Sequence, residues 1–349
     1  EGYQPASFGV LFYCGIYSFL IRKYFYAVFF ICLSASFHPS YVIHSGFLLI
    51  GFFTYFFLVK EYKLLLKVLA SYIILILPIT IYIILNFLLI DKELTSAGKL
   101  ILLERIPHHA LIENWFSYKD IISILIYAIS LFMIRKNKKI FLPLLIFGFL
   151  SILFSIIQFL SQNQSLALAF PWRASIFLIP LSSMIIISFF INKFLSKKIN
   201  LNILGILMFL IIFSLFFVKN HFLKNNNQNF YTKLELTKEI SKNYNLIQRI
   251  LIPIDLSYIR MNTGLPIFID WKHHAFKYDE LIIWKKRVNL ANQFYETNDF
   301  DKQKIILDDI NQIEKISHIL INRNQLKKDC DNLIEHKKYA LINANTCYK

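Results

Sequence analysis

Four short stretches of the chain gather residue types suited to handling phosphate. Arg105-Ile106-Pro107-His108-His109 sets a guanidinium beside two imidazoles. The planar fork of an arginine matches phosphate oxygens. Imidazoles donate hydrogen bonds or exchange protons near neutral pH. Pro107 stiffens the stretch. Phe37-His38-Pro39-Ser40-Tyr41, with His44 one helical turn further on, is the second, and Phe170-Pro171-Trp172-Arg173 is the third. The fourth is Asp270-Trp271-Lys272-His273-His274, followed by Glu280, Trp284 and Arg287. Phosphate binding by Arg105, His108 and His109 is the sharpest chemistry these types allow, and Arg173, His38, Asp270 and Lys272 are further substrate-binding candidates.

Each stretch also has a plainer reading. Trp172 and Arg173 at a membrane edge serve as aromatic-belt and snorkelling anchors. His38 and His44 fit as interface histidines whose hydrogen bonds are satisfied. Asp270 and Lys272 fit as partners of Arg287 or Glu280 that fix a loop. Metal binding competes less well. His108-His109 and His273-His274 are neighbours that face apart on a helix, and no zinc-type Cys/His spacing is present. No cofactor is expected, although a divalent ion bound together with a lipid phosphate is compatible with the motifs.

The elements that must position these residues are mostly apolar. Of 349 residues 56% are hydrophobic and only 17% charged, against about 25% charged in a soluble domain. The apolar blocks lie before residue 218, and residues 219–349 read as ordinary soluble protein. Two domains follow, 1–218 and 219–349. A spanning helix needs about 20 apolar residues, and about eight spans are expected at 6–21, 24–37, 41–59, 68–90, 120–134, 140–160, 175–192 and 201–218. The first two are short and are separated by Arg22-Lys23, so they form a tight hairpin or one irregular element. Ionisable side chains are nearly absent from the other spans, which read as scaffold rather than as an ion-coupled transport path.

The formal charge of +16 raises nucleic acid as a partner, but its placement argues against it. Residues 1–218 hold 17 Lys+Arg against 7 Asp+Glu, mostly between apolar blocks. The loops around 22–23, 60–67, 135–139 and 193–198 hold 12 Lys+Arg, and the alternate loops at 38–40, 91–119 and 161–174 hold 5. Basic loops stay in the cytoplasm. The phosphate-suited loops, and everything after residue 218, are then expected outside a bacterial plasma membrane, with the lipid bilayer as first partner.

Residues 219–229 read as a polar linker. Beyond it, helices are expected at 231–247, 278–296, 301–316 and 324–335. Strands are expected at 249–253, 266–271, 318–322 and within 339–348, and Asp255 should cap a short helix ending near Gly264. Alternating strands and helices imply a small α/β sheet. The fold class expected is an α-helical multi-pass membrane domain followed by a small extracytoplasmic α/β domain. No Gly-rich nucleotide motif is present. Asp270 and Lys272 lie beyond the carboxyl end of an expected strand, where ligands bind in open α/β sheets. Cys14 and Cys32 read as packing residues. Cys330 and Cys347 form either a disulfide or two thiols, depending on compartment.

The order of these motifs (HPSY, RIPHH, PWR, then FIDWKHH and a helix with WKKR) resembles a group of poorly characterised bacterial multi-pass membrane proteins. More loosely, the architecture resembles the GT-C superfamily of polyprenyl-phosphate-dependent glycosyltransferases. That resemblance implies transfer of a sugar from a lipid phosphate to a glycan or protein acceptor on the outer face. It implies that Arg105, His108, His109 and Arg173 hold the carrier phosphate. It also implies a catalytic carboxylate in a first external loop, expected upstream of Glu1.

Overall fold

A computed structural model describes residues 9–89, 92–107, 111–195, 227–272, 275, 277–325, 330–336 and 338–348. The chain divides into two compact units, Glu1–Ile199 and Asn200–Lys349. The stretch expected as the span 201–218, and His108, His109, His273 and His274, lie outside the described residues.

The N-terminal unit is helical. Helices α1 (Val10–Leu20) and α2 (Tyr24–Phe37) are separate, joined by a tight turn at Ile21–Lys23. At 1.5 Å per residue they reach about 16 and 21 Å. They pack closely because Gly15 lacks a side chain: a Cβ there would stand 2.8 Å from Ile31 Cγ2. Helices α3 (Tyr41–Leu58) and α4 (Tyr62–Ile83, prolonged by a π turn to Leu88) follow. The expected long loop at 91–119 instead folds into α5 (Lys92–Arg105) and the single turn α6 (Ile112–Trp115). Its good helix formers, with Glu93 in the first turn and Arg105 in the last, complement the helix dipole. Then come α7 (Tyr118–Ile134), α8 (Lys138–Ser161), the short α9 (Gln164–Ala169), a 3₁₀ turn (Pro171–Ala174) and α10 (Ser175–Phe190).

Among the described residues four helical stretches are long and apolar enough to cross a membrane: Tyr41–Leu58, Tyr62–Phe87, Lys138–Ser161 and Gln164–Lys193. Half of the apolar window of α3 is buried inside the protein, against 17% for the α4 stretch, so α3 is the central helix. It meets α8 where Gly51 lies against Pro143, with room for no Cβ. Polar side chains tie the helices across apolar surroundings: Ser45 Oγ to Tyr72 Oη at 2.9 Å, Tyr127 Oη to the Leu144 carbonyl at 2.7 Å, and Ser130 Oγ to Ser182 Oγ at 2.9 Å.

Contacts define two ends of this bundle. At one, Lys139 Nζ donates to the Leu20 carbonyl at 2.7 Å. The turns after α1 and α3 are matching Schellman motifs, with Arg22 (φ 65°) and Lys60 (φ 60°) in the left-handed position that glycine usually takes. The cation at each helix C-terminus interacts favourably with the dipole and offsets part of the backbone cost. At the other end the turn 38–40 meets the 3₁₀ turn, and Trp115 of α6 packs on Trp172.

The C-terminal unit holds a four-stranded sheet of order β1-β2-β4-β3: β1 (Ile250–Leu251), β2 (His318–Asn322), β3 (Asn332–Glu335) and β4 (Tyr339–Asn343). β1 runs parallel to β2, and the β2–β4 and β4–β3 pairs are antiparallel. Its helices are α11 (Asn227–Lys242), α12 (Tyr258–Thr263), α13 (Tyr278–Glu296), α14 (Phe300–Ile313) and α15 (Ala344–Cys347). Leu236 and Ile240 of α11 and Ile259 of α12 share a core with Ile250, Leu320 and Leu341. Strand side chains alternate between faces, so Leu251, Ile319 and Ile342 point the other way. Tyr295 of α13 donates its hydroxyl to the Leu251 and Leu320 carbonyls, both at 3.0 Å.

Three expectations for this unit are corrected. The helix expected at 324–335 is a 3₁₀ turn at Arg323–Gln325 and strand β3. Pairing with β4 and the Cys330–Cys347 disulfide, with Cα atoms 4.8 Å apart, override local helix preference there. The strand expected at 266–271 is reduced to one parallel bridge, Ile250 to Ile267, because Pro266 has no N–H to continue a ladder. Asp255 does not cap α12, whose N-cap is Ser257.

Candidate functional site

The end of the bundle that carries α6 and the 3₁₀ turn brings two of the sequence motifs together. α2 stops at Phe37 because His38, preceding Pro39, is forced into an extended conformation. Ser40 is the N-cap of α3, yet its hydroxyl makes no capping bond. It accepts from Arg173 Nη1 at 2.8 Å and lies 2.8 Å from His38 Nδ1. The Ser40 backbone N–H also donates to His38 Nδ1, at 3.3 Å. That nitrogen is therefore the unprotonated one, and the ring proton sits on Nε2. A directed chain results, from Arg173 through Ser40 to His38.

His44 is fully buried and links the two turns. Its Nδ1 lies 2.8 Å from the Ser40 carbonyl and its Nε2 3.2 Å from the Pro171 carbonyl. It is a structural pin between the turns, and in its neutral form it donates to one of the two carbonyls. Phe170 adopts φ 52°, a costly conformation for an aromatic residue. The guanidinium of Arg173 lies 4.3 Å from the Phe170 ring centroid, close enough for a cation–π contact.

Electrostatically, the site is a cation without a local acid. No carboxylate pairs with Arg173 among the described residues. The Arg173 guanidinium is charged, since an arginine is not deprotonated in proteins. Burial, assisted by Arg173, pushes His38 down to about 4, so it is neutral at pH 7.

Beside this network, α7, α8 and α10 line a half-open cavity of about 670 Å³. Ile124, Ile152, Ile156 and Leu178 form its apolar walls. Tyr127 is part of the lining and packs directly on Gly148, where no Cβ fits. Glu113, Trp115, Asp120 and Trp172 also line the cavity, and the Trp115 and Trp172 rings pack at a tilt of 31° with centroids 5.2 Å apart. The indole Nε1 of Trp115 is buried without a hydrogen-bond partner.

The remaining predicted residues are placed separately. Arg105 ends α5 and is only 9% exposed, in a helix rather than a stiffened loop. α5 packs on α9, where Lys99 Nζ donates to Ser165 Oγ at 2.8 Å. In the C-terminal unit Asp270 is completely buried. It accepts from Arg260 Nε at 2.9 Å, and its backbone carbonyl accepts from Trp284 Nε1 at 3.3 Å. The expected partners were Arg287 or Glu280, but Arg287 joins Glu314 at 3.0 Å. This buried ion pair ties the segment around Asp270 to α12 and α13. Lys272 is exposed. Among the described residues no cluster of three or more His, Cys, Asp or Glu is placed to hold a metal ion. Ser40, Glu113 and Asp120 were not singled out from sequence. Ser40 stood inside a motif, but the two carboxylates carried no spacing signal.

Compared with protein-family models, curated proteins and solved structures, the chain matches none.

Proposed function

We propose that the N-terminal unit is a multi-pass membrane domain whose Arg173–Ser40–His38 network binds the phosphate of an amphiphile, and that the protein is a GT-C-like glycosyltransferase using a lipid-phosphate-linked sugar on the outer face. The observation that carries the reading is Arg173, a half-buried guanidinium bonded to one hydroxyl and stacked on Phe170, with no carboxylate paired to it among the described residues. A buried charge is costly unless compensated, and a phosphate is the complement its fork geometry favours. His38 would add a neutral Nε2 donor, and together they would stabilise charge on a leaving phosphate. The membrane reading rests on the four long apolar helices and on side chains such as Ile74, Leu125 and Leu160 that expose large apolar surfaces. The Cys330–Cys347 disulfide supports an oxidising compartment for the C-terminal unit.

A second reading, a non-catalytic protein that recognises an anionic lipid or glycan, draws on the same network, because no carboxylate stands within it to act as base. Binding and transfer assays separate the two. Reconstituted protein should bind a long-chain isoprenyl phosphate, and Arg173→Gln should weaken binding at least tenfold, about 1.4 kcal/mol. Equal binding by the variant would remove the phosphate site. Phosphate binding without sugar transfer from an isoprenyl-phosphate-linked donor would select the second reading.

A further inference from the structure

We infer that the cavity between α7, α8 and α10 is a separate site for a neutral, hydroxyl-bearing amphiphile: a single apolar chain between the helices, with a polyol or sugar head at the Trp115–Trp172 end. In the transferase reading this is the acceptor, and the inference rests on that reading only for the word acceptor.

The volume of about 670 Å³ lies within the range of ordinary ligand sites. Its walls demand an apolar occupant. Three of the serines that line it have spent their hydroxyls on their own helices, Ser123 on the Lys119 carbonyl, Ser151 on Phe147 and Ser155 on Ser151, and Ser175 adds a neutral hydroxyl. The charged groups of the lining are one-sided. Glu113 and Asp120 offer carboxylate oxygens, and among the described residues no lysine or arginine lines the cavity. One oxygen of Asp120 caps α7 through the Ser117 N–H and hydroxyl, and one oxygen of Glu113 takes the Gln162 amide at 3.3 Å. The other oxygen of each is left to accept. Arg173, the cation at this end, is turned to Ser40 instead.

An anionic head would therefore meet two negative groups, whereas hydroxyls would donate to them. The buried, unpartnered Trp115 Nε1 supplies a donor for a hydroxyl or ring oxygen. The paired indoles offer flat apolar faces suited to the C–H face of a sugar ring. Phosphate and polyol are thus recognised by different groups: Arg173, Ser40 and His38 for one, Trp115, Glu113 and Asp120 for the other.

The test uses the full chain in phosphatidylcholine nanodiscs and an alkyl β-glucoside carrying a diazirine in its chain, with labelled peptides mapped by mass spectrometry. Saturable labelling of α7 and α8 is expected. Unlabelled alkyl glucoside should compete, and an alkyl phosphate of equal length should compete at least fivefold less well. Ile152→Trp, which fills the cavity, should cut labelling at least fivefold, and Ser155→Phe serves if that variant does not fold. Trp115→Phe keeps the ring, loses the donor and should weaken competition three- to tenfold. Arg173→Gln should leave labelling unchanged, so failure here is distinct from failure of the phosphate site. Non-saturable labelling, equal competition by the phosphate, or no effect of filling the cavity would overturn the inference.

Discussion

Two arginines, one in each unit, handle their charge in opposite ways. Arg260 holds Asp270, a carboxylate with no solvent exposure, at 2.9 Å in the C-terminal unit. Arg173 meets a serine hydroxyl and an aromatic ring in the N-terminal unit, with no carboxylate paired to it among the described residues. The first arrangement is electrostatically closed. Its energy goes into holding α12, the 266–271 segment and α13 together, through Arg260, the Asp270 backbone and Trp284. The second is open, and an open charge away from bulk water is what a ligand site needs. The same side chain thus marks scaffold in one unit and candidate site in the other, and the neighbours decide which.

Breaking the closed pair should give the largest effect on stability. Asp270→Ala leaves Arg260 uncompensated and removes a buried anchor. Breaking a fully buried pair costs about 3–5 kcal/mol, and the cost here should be somewhat below that range because Arg260 is a third exposed. Denaturant unfolding of the full chain, followed by hydrogen exchange in β1 and β2, checks it. A loss under about 0.5 kcal/mol, typical of a surface change, would mean the pair is not structural.

The contrasting change, Arg173→Gln, should scarcely alter thermal unfolding while removing phosphate affinity as described above. A large loss of stability would place Arg173 with Arg260, among the structural arginines.

Gly148→Ala sharpens the same comparison on the apolar side. Its Cβ would collide with Tyr127, which lines the cavity and is tied to the Leu144 carbonyl. Overpacking of this kind costs about 1–3 kcal/mol. Solvent-free cross-linking between α7 and α8 would report their separation, and unchanged spacing with unchanged stability would contradict the packing.

A further effect concerns pH. His38 is lowered from 6.5 to about 4 by burial and by Arg173. Between those values the unfolded chain binds a proton that the folded turn excludes, so stability rises with pH across that window. The contribution is complete above about pH 6.5 and is lost as pH falls toward 4. His38→Gln should flatten that part of the profile, measured by thermal unfolding from pH 4 to 7.5. A profile identical to the parent would show that His38 is not buried in the folded protein.

Much of the scaffold was legible in the sequence. Helix α13 was marked by Leu281, Trp284, Val288 and Ala291 at helical spacing, and all four are buried. β2 falls at 318–322 as expected, because a continuous apolar run there can be buried on both faces. The long apolar blocks before residue 195 fall on helices, offset by up to six residues at the start of α4, whereas α5, α6 and α9 lie in stretches expected as loops. β3 was misread because its state depends on β4 and on a cysteine 17 positions away, neither of which is local information. The site was legible only in part. His38 and Arg173 were marked by residue type, but the hydroxyl that joins them belongs to Ser40, 133 residues from Arg173. Asp270 was selected for the same reason of type, but its ion-pair partner Arg260 was not legible, since it lies ten positions upstream in a short helix with no charge pattern to announce it.

By itself the sequence determined the apolar periodicity of the helices, the separation of basic from aromatic turns, and the presence of a polar α/β unit after the apolar blocks. These follow from local pattern, because hydrophobic spacing and turn chemistry act within a few residues. Only the tertiary structure decided which cation is compensated and which is left open, which cysteines meet, and that three apolar helices leave a cavity between them. Those outcomes depend on groups far apart in the chain reaching hydrogen-bonding or packing distance, and a charge or a cavity is defined by what surrounds it rather than by its own position in the sequence.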